Sequence, residues 1–166
     1  MIDLEIEGRK VSLVPATLTQ VQKATDPIAF AALMDVKLSE PWPPESMVAW
    51  EFFEELLQDE ANIGWGPWWV QVEGVVAGSI GFGGKAEEGG VLMGFDINQP
   101  FNFVTSDCIK AMAEWAFEDA TVGYIEVHTE DDPKAAKTVC KAGFHPEGTD
   151  EDGHAHYTMT RADLAN

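Results

Sequence analysis

Apolar positions change their period along the chain, and each change marks an element. Lys10–Pro15 alternates polar and apolar residues, which predicts a strand with one buried face. Leu18 to Leu33 reads as two short helices broken at Asp26-Pro27. After Pro43-Pro44, the residues Met47, Trp50, Phe53, Leu56 and Leu57 follow helical spacing. They predict a helix that opens near Glu45 and ends near Asp59.

From Trp68 the period becomes two. Trp68–Val72 and Val75–Gly83 read as strands joined in a hairpin at Glu73-Gly74. Val91–Ile97 reads as a further strand, with Gly94 in its interior, where glycine marks a bulge or a close backbone approach. Thr105 or Ser106 caps the next helix, whose Cys108, Ile109, Met112, Trp115 and Ala116 share one face. Asp107 in its first turn complements the helix dipole. Tyr124–Thr129 is a strand of buried type, Pro133 opens a helix through Ala142, and Gly143 ends it. A last strand, from His154 to Arg161, follows the acidic turn Glu147–Gly153. This order predicts a mixed α/β (α+β) single domain over residues 1–166. A strand leading through a loop into a helix at mid-sheet is where such folds bind a cofactor.

Composition supports a packed core: 45% of residues are apolar, including six Trp and nine Phe. Trp42, Trp65 and Trp68 line a pocket or an interface, or cap that core. No apolar run approaches the ~20 residues of a membrane span. The opening MIDLEIEGRK lacks the grammar of a signal peptide, so a cytoplasmic protein is expected. The two cysteines, Cys108 and Cys140, are too few for a disulfide framework and are expected to be buried and reduced. A net charge of −19 repels nucleic acid and anionic membranes and attracts amines or basic proteins, although its plainer meaning is solubility. His154 and His156 share a strand face beside Asp150, but spacing fixes no further ligand and no metal is expected.

Several segments in order resemble the GNAT superfamily of acyl-CoA N-acyltransferases, nearest its ribosomal-protein N-acetyltransferase branch. They are Trp42-Pro-Pro-Glu45, Gly64-Trp65 with Trp68-Trp-Val70, Val76–Gly84, Met93–Ile97, Ala113–Phe117, Val127–Thr129 and Val139–Phe144. The resemblance implies a central, mostly antiparallel sheet of about seven strands flanked by helices. It also implies acetyl transfer from acetyl-CoA to a primary amine, of a small molecule or a protein N-terminus, by direct attack in a ternary complex. In such a fold the pantetheine arm enters between splayed strands, a backbone N–H polarises the thioester, and the pyrophosphate rests on a helix N-terminus.

Carried onto this chain, the resemblance makes Phe95, Ile97, Phe103, Val104, Thr105, Ser106 and Asp107 the cofactor-binding candidates. Asp132, Lys134, Lys137 and Lys141 join them from the last helix, and Asp96, His128 and Cys140 are the catalytic candidates. Asp96 would orient an amine, His128 act as base and Cys140 protonate the leaving thiolate. Glu126 alternates with His128 on one strand, and Tyr124 and Tyr157 either supply hydroxyls near the cleft or pack in the core.

The chain departs from the family pattern in the phosphate loop. Its small positions hold Phe103 and Thr105, its leading cation is replaced by Pro100, and the usual strand glutamate by Leu92. Two further readings therefore stand beside the transferase. One is a binding or regulatory module of the same fold that has lost acetyl-CoA or takes an atypical donor. The other is an acidic protein that docks on a basic partner. The acceptor expected for a transferase is an amine-bearing small molecule or basic protein, with the chain a monomer or homodimer.

Overall fold

The computed structural model describes residues 1–44 and 50–164. Its elements are β1 (Ile2–Ile6), β2 (Arg9–Pro15), α1 (Leu18–Lys23), α2 (Pro27–Met34), β3 (Lys37–Leu38), α3 (Glu51–Leu56), β4 (Pro67–Val72), β5 (Val75–Phe82) and β6 (Gly90–Ile97). A 3₁₀ turn at Gln99–Val104 then runs into α4 (Thr105–Phe117), followed by β7 (Tyr124–Glu130), α5 (Pro133–Lys141), β8 (His145–Thr149), β9 (His154–Thr160) and α6 (Arg161–Leu164).

Among the described residues nine strands form one sheet, in the order β1-β2-β4-β5-β6-β7-β9-β8, with β3 paired to β5. Neighbours are antiparallel except β6–β7 and the short β3–β5 pair. The mostly antiparallel architecture agrees with expectation, and the strand count exceeds it. Ile2, Leu4 and Ile6 alternate inward in β1, which turns into β2 through Glu7 and Gly8, both at positive φ. β3 is only two residues long and carries no periodic signal.

Two helix predictions change. The start of the expected helix at Glu45, with Met47, lies outside the described residues; α3 covers Glu51–Leu56. The cap expected of Thr105 or Ser106 is not made. Val104 holds the cap position without a side-chain bond, because the preceding 3₁₀ turn already leads the chain into the helix. The Ser106 hydroxyl instead donates to the Thr138 carbonyl at 2.8 Å.

Strand alternation divides the interior into two cores. On one face Trp65, Trp68, Val70, Phe82 and Met93 pack against Ile109, Met112 and Ala116 of α4. There the Trp115 ring lies 4.7 Å from Trp65, 5.1 Å from Trp68 and 5.9 Å from Phe82. On the other face Trp69 meets Phe30 at 4.6 Å and Trp50 at 5.2 Å, and Val21 and Leu57 close the cluster. Trp42 stacks on Phe30 at 5.3 Å and donates its indole N–H to the Ala24 carbonyl. The three tryptophans thus cap and fill the cores. Among the described residues no helix is long and apolar enough to cross a membrane.

One glycine fixes the middle of the sheet. Val70 pairs with Gly78 but Gln71 with Val76, so Ala77 is an extra residue in β5. Gly78 stands at φ +152°, and a Cβ there would collide with the Asp96 carbonyl oxygen and sit 2.9 Å from the Ile97 Cα. Gly94 differs: no atom lies within 4 Å of where its Cβ would stand, so it marks open space rather than a bulge or close approach. Gly78→Ala should therefore lower the unfolding free energy by about 2–3 kcal/mol, while Gly94→Ala stays within about 0.5 kcal/mol. Urea midpoints of the two variants check this, and equal losses would contradict it.

Candidate active site

β6 and β7 pair in parallel only from Gly90 with Tyr124 to Met93 with Val127. Beyond that point β6 stays with β5 through Ile97, and β7 stays with β9 through Glu130. The sheet is forked at its centre. The Leu92 carbonyl accepts from Gly83 N–H, and Asn98 N–H donates to the Ala77 carbonyl, so even-numbered residues of this strand turn their backbone groups to β5. By alternation Phe95 and Ile97 turn theirs into the gap left by β7.

Two spaces meet at this fork. On the α4–α5 face a cleft of about 430 Å³ is walled by Phe95, Asp96 and Ile97, by Asn102 and Thr105, and by the start of α5. On the α3 face a cavity of about 560 Å³ runs between Trp50, Phe52 and Phe53 and the strands β5 and β6, with His128 at its edge. Phe95 and Asp96 belong to both walls. The buried Asn98 holds this end of β6 in place: its amide donates to the Ser39 hydroxyl at 3.0 Å and to the Pro41 carbonyl at 3.2 Å.

The cleft's charge is unusual for an anion site. Asp96, Glu130 and Asp132 line it, and among the described residues of its wall Lys134 is the cation. Asp132 caps α5, its Oδ1 accepting the N–H groups of Lys134 at 2.8 Å and Ala135 at 2.9 Å. A carboxylate thus occupies the anion-binding end of that helix. At the other side the turn satisfies itself: Phe101 N–H donates to the Asn98 carbonyl and Thr105 N–H to that of Asn102.

A family model for the acetyltransferase (GNAT) domain matches residues 16–145. The chain belongs to the GNAT acetyltransferase family. Solved structures with the same fold include the aminoglycoside acetyltransferase AAC(6')-Ib in complex with coenzyme A and kanamycin, at 17% identity and TM-score 0.63, covering 93% of this chain and 97% of that one. Mycobacterium smegmatis RimJ in complex with CoA-disulfide is 15% identical at TM-score 0.68, covering 99% of this chain and 88% of RimJ. The ribosomal-protein-S5-alanine acetyltransferase from Vibrio fischeri is 13% identical at TM-score 0.61, with 99% of each chain covered. At these identities the likeness is one of fold. No curated protein sequence matches.

In this GNAT chain the predicted site residues separate into two groups. Phe95, Asp96, Ile97, Thr105, Asp132 and Lys134 all stand in the cleft wall, and His128 and Asp96 border the cavity. Phe103 and Val104 do not. The Phe103 ring lies under the Arg9 guanidinium, 5.0 Å from its centroid, and Val104 is fully buried. Phe103 therefore does not fill the cleft. Asp107 is exposed, and Ser106 is held on α5. The face of α5 turned to the cleft is Lys134, Ala135 and Thr138; Lys137 is rotated away, and Lys141 lies about 10 Å further along the axis. Asn102, Glu130 and Thr138 join the wall although the sequence does not single them out; Thr138, one turn from Lys134, is legible by spacing.

His128 is not isolated. Its ring stacks on His156 at 3.8 Å, its Nε2 is 3.8 Å from Glu126 Oε2, and His156 Nε2 is 2.7 Å from Asp150 Oδ2. The His156 bond, then the His154 N–H, hold the Asp150 carboxyl down at about 2. Asp150, Asp152 and His154 bring ligand atoms within 4.8 Å of one another on the surface, but Asp150 is already engaged by these partners.

Cys140 is exposed on α5 and stands in neither wall, so the expectation of two buried cysteines fails for it. Cys108 is buried in α4, where burial, then the Asp107 charge, push its thiol up to about 12. A thiol reagent at pH 8 should titrate one group in the native protein and a second only after unfolding. Two rapid equivalents in the native state would contradict the burial of Cys108.

Proposed function

We propose that the chain is an acyl-CoA-dependent N-acetyltransferase that transfers acetyl from acetyl-CoA to a primary amine in a ternary complex. The observation that carries this reading is the fork, with an open cleft on one face, a cavity on the other, and Phe95 and Asp96 common to both. Acetyl-CoA bound in the fork supplies an activated acetyl thioester. The Phe95 N–H, directed into the gap, donates to the thioester carbonyl and stabilises the charge that grows there as the amine attacks. Asp96 holds the acceptor's ammonium group at the junction. His128 at the cavity edge takes one proton from the ammonium, the freed nitrogen bonds to the acetyl carbon as the carbon–sulfur bond breaks, and the nitrogen's second proton leaves with the sulfur as the CoA thiol.

The residues fit the pantetheine arm better than the nucleotide end. Backbone groups facing the gap suit an amide-bearing chain, and Lys134 supplies one positive charge for the phosphates. The self-bonded turn at Gln99–Val104 and the carboxylates of Glu130 and Asp132 favour a second reading, a binding or regulatory module of the same fold without acetyl-CoA turnover.

Thermal or chemical unfolding with acetyl-CoA separates the two. At a hundredfold the dissociation constant the ligand stabilises the fold by about 2.7 kcal/mol. The transferase reading predicts a stabilisation that rises with acetyl-CoA concentration and is weakened by added salt. No stabilisation at millimolar acetyl-CoA would favour the second reading.

A further inference from the structure

The cavity on the α3 face has a composition that bears on the acceptor. Its walls are the rings of Trp50, Phe52 and Phe53 on one side and Leu92 with the glycines Gly81, Gly83 and Gly94 on the other. Among the described residues that line it, the polar side chains are Ser79, Asp96 and His128. Phe52 is 52% exposed and Leu92 46%, so two large apolar side chains that border the cavity keep much of their surface in water. Gly94 between Leu92 and Asp96 leaves the space above it open.

Building on the transferase reading, we infer that the acceptor is a small primary amine carrying a single apolar arm, aryl or alkyl. Its ammonium group lies at Asp96, where the cavity meets the cleft, and its arm lies between the α3 aromatics and Leu92. The cavity, about 560 Å³, is in the range that encloses a small ligand. Among the described residues of the wall, the side chains of Ser79, Asp96 and His128 are what a polyhydroxylated amine would find to replace the water lost from its hydroxyls. A peptide would strand its backbone amides, because among the described strand residues that line the cavity Phe95 keeps its backbone groups open and its N–H serves the thioester. Phe82 N–H donates to the Gly66 carbonyl, Gly83 N–H to that of Leu92, and Gly81 pairs with Gly94. The net charge of −19 draws a cationic amine towards the protein without selecting its arm.

The test compares 2-phenylethylamine and hexylamine with kanamycin and with a peptide bearing an N-terminal phenylalanine. Wild-type protein and Gly94→Leu are assayed with acetyl-CoA, following thiol release and acetylated product by mass. The expected result is a kcat/KM for the two apolar amines at least tenfold above those for kanamycin and the peptide. Gly94→Leu, which fills the cavity, should remove at least tenfold of that kcat/KM while calorimetry gives an unchanged dissociation constant for acetyl-CoA. Circular dichroism confirms its fold, and Phe52→Ser, at an exposed position, should lower the preference for the apolar amines if Gly94→Leu fails to fold. Acetylation that favours kanamycin or the peptide overturns the inference and leaves the transferase reading standing. If no amine is acetylated, the transferase reading fails, and calorimetry with 2-phenylethylamine alone decides the inference. Binding abolished by Gly94→Leu supports it, and absence of binding overturns it.

Discussion

The parallel pairing of β6 with β7 stops after Met93 and Val127, and the proposed chemistry depends on that stop. Each strand is committed to its outer neighbour: β6 to β5 as far as Ile97, and β7 to β9 as far as Glu130. The two strands diverge while each keeps its outer partner, so the opening lies within the sheet and not in a loop. The extra residue Ala77, the close approach at Gly78 and the Asn98 clamp to Ser39 and Pro41 fix the β6 side. Backbone groups in the gap are thereby presented in a fixed position, which is the condition for electrostatic stabilisation of a developing charge.

The two aromatic cores pack the sheet on both faces. Trp68 and Trp69 are adjacent in β4 and point to opposite faces, one into the α4 cluster and the other into the α1–α3 cluster. That single dipeptide joins both layers, so packing on one face reports on the other. The cavity lies where the α3 aromatics approach the sheet without filling it, and the cleft lies where α4 and α5 diverge from the strands.

Much of this architecture is legible in the sequence. The shift from helical spacing to alternation at Trp68, and the face formed by Cys108, Ile109, Met112, Trp115 and Ala116, correspond to β4 and α4. Phe95, Asp96 and Ile97, which the family resemblance singles out, stand at the fork. The 3₁₀ conformation of Gln99–Val104 is not legible, since its turn bonds compete with a loop in a way no periodicity records. Position in the loop alone assigns Phe103 to the cleft, whereas its ring is drawn to Arg9, a residue distant in the chain. Charge and helical face group Lys137 and Lys141 with Lys134, but the cleft wall takes Lys134, Ala135 and Thr138 from α5 and neither of the other two lysines. Asn98 and Ser39 meet through tertiary structure, and nothing local announces it.

The central claim is that the backbone of β6 beyond Met93 receives the thioester. The direct test is an acetyl-CoA titration followed by amide ¹H–¹⁵N NMR. The account predicts that the largest shifts fall on Phe95 and Ile97, with smaller ones at Thr105 and Ala135, while Leu92 and Gly94, whose N–H groups face β5, move less. Shifts that leave Phe95 and Ile97 unmoved while other regions respond, or no shifts at all, would contradict it.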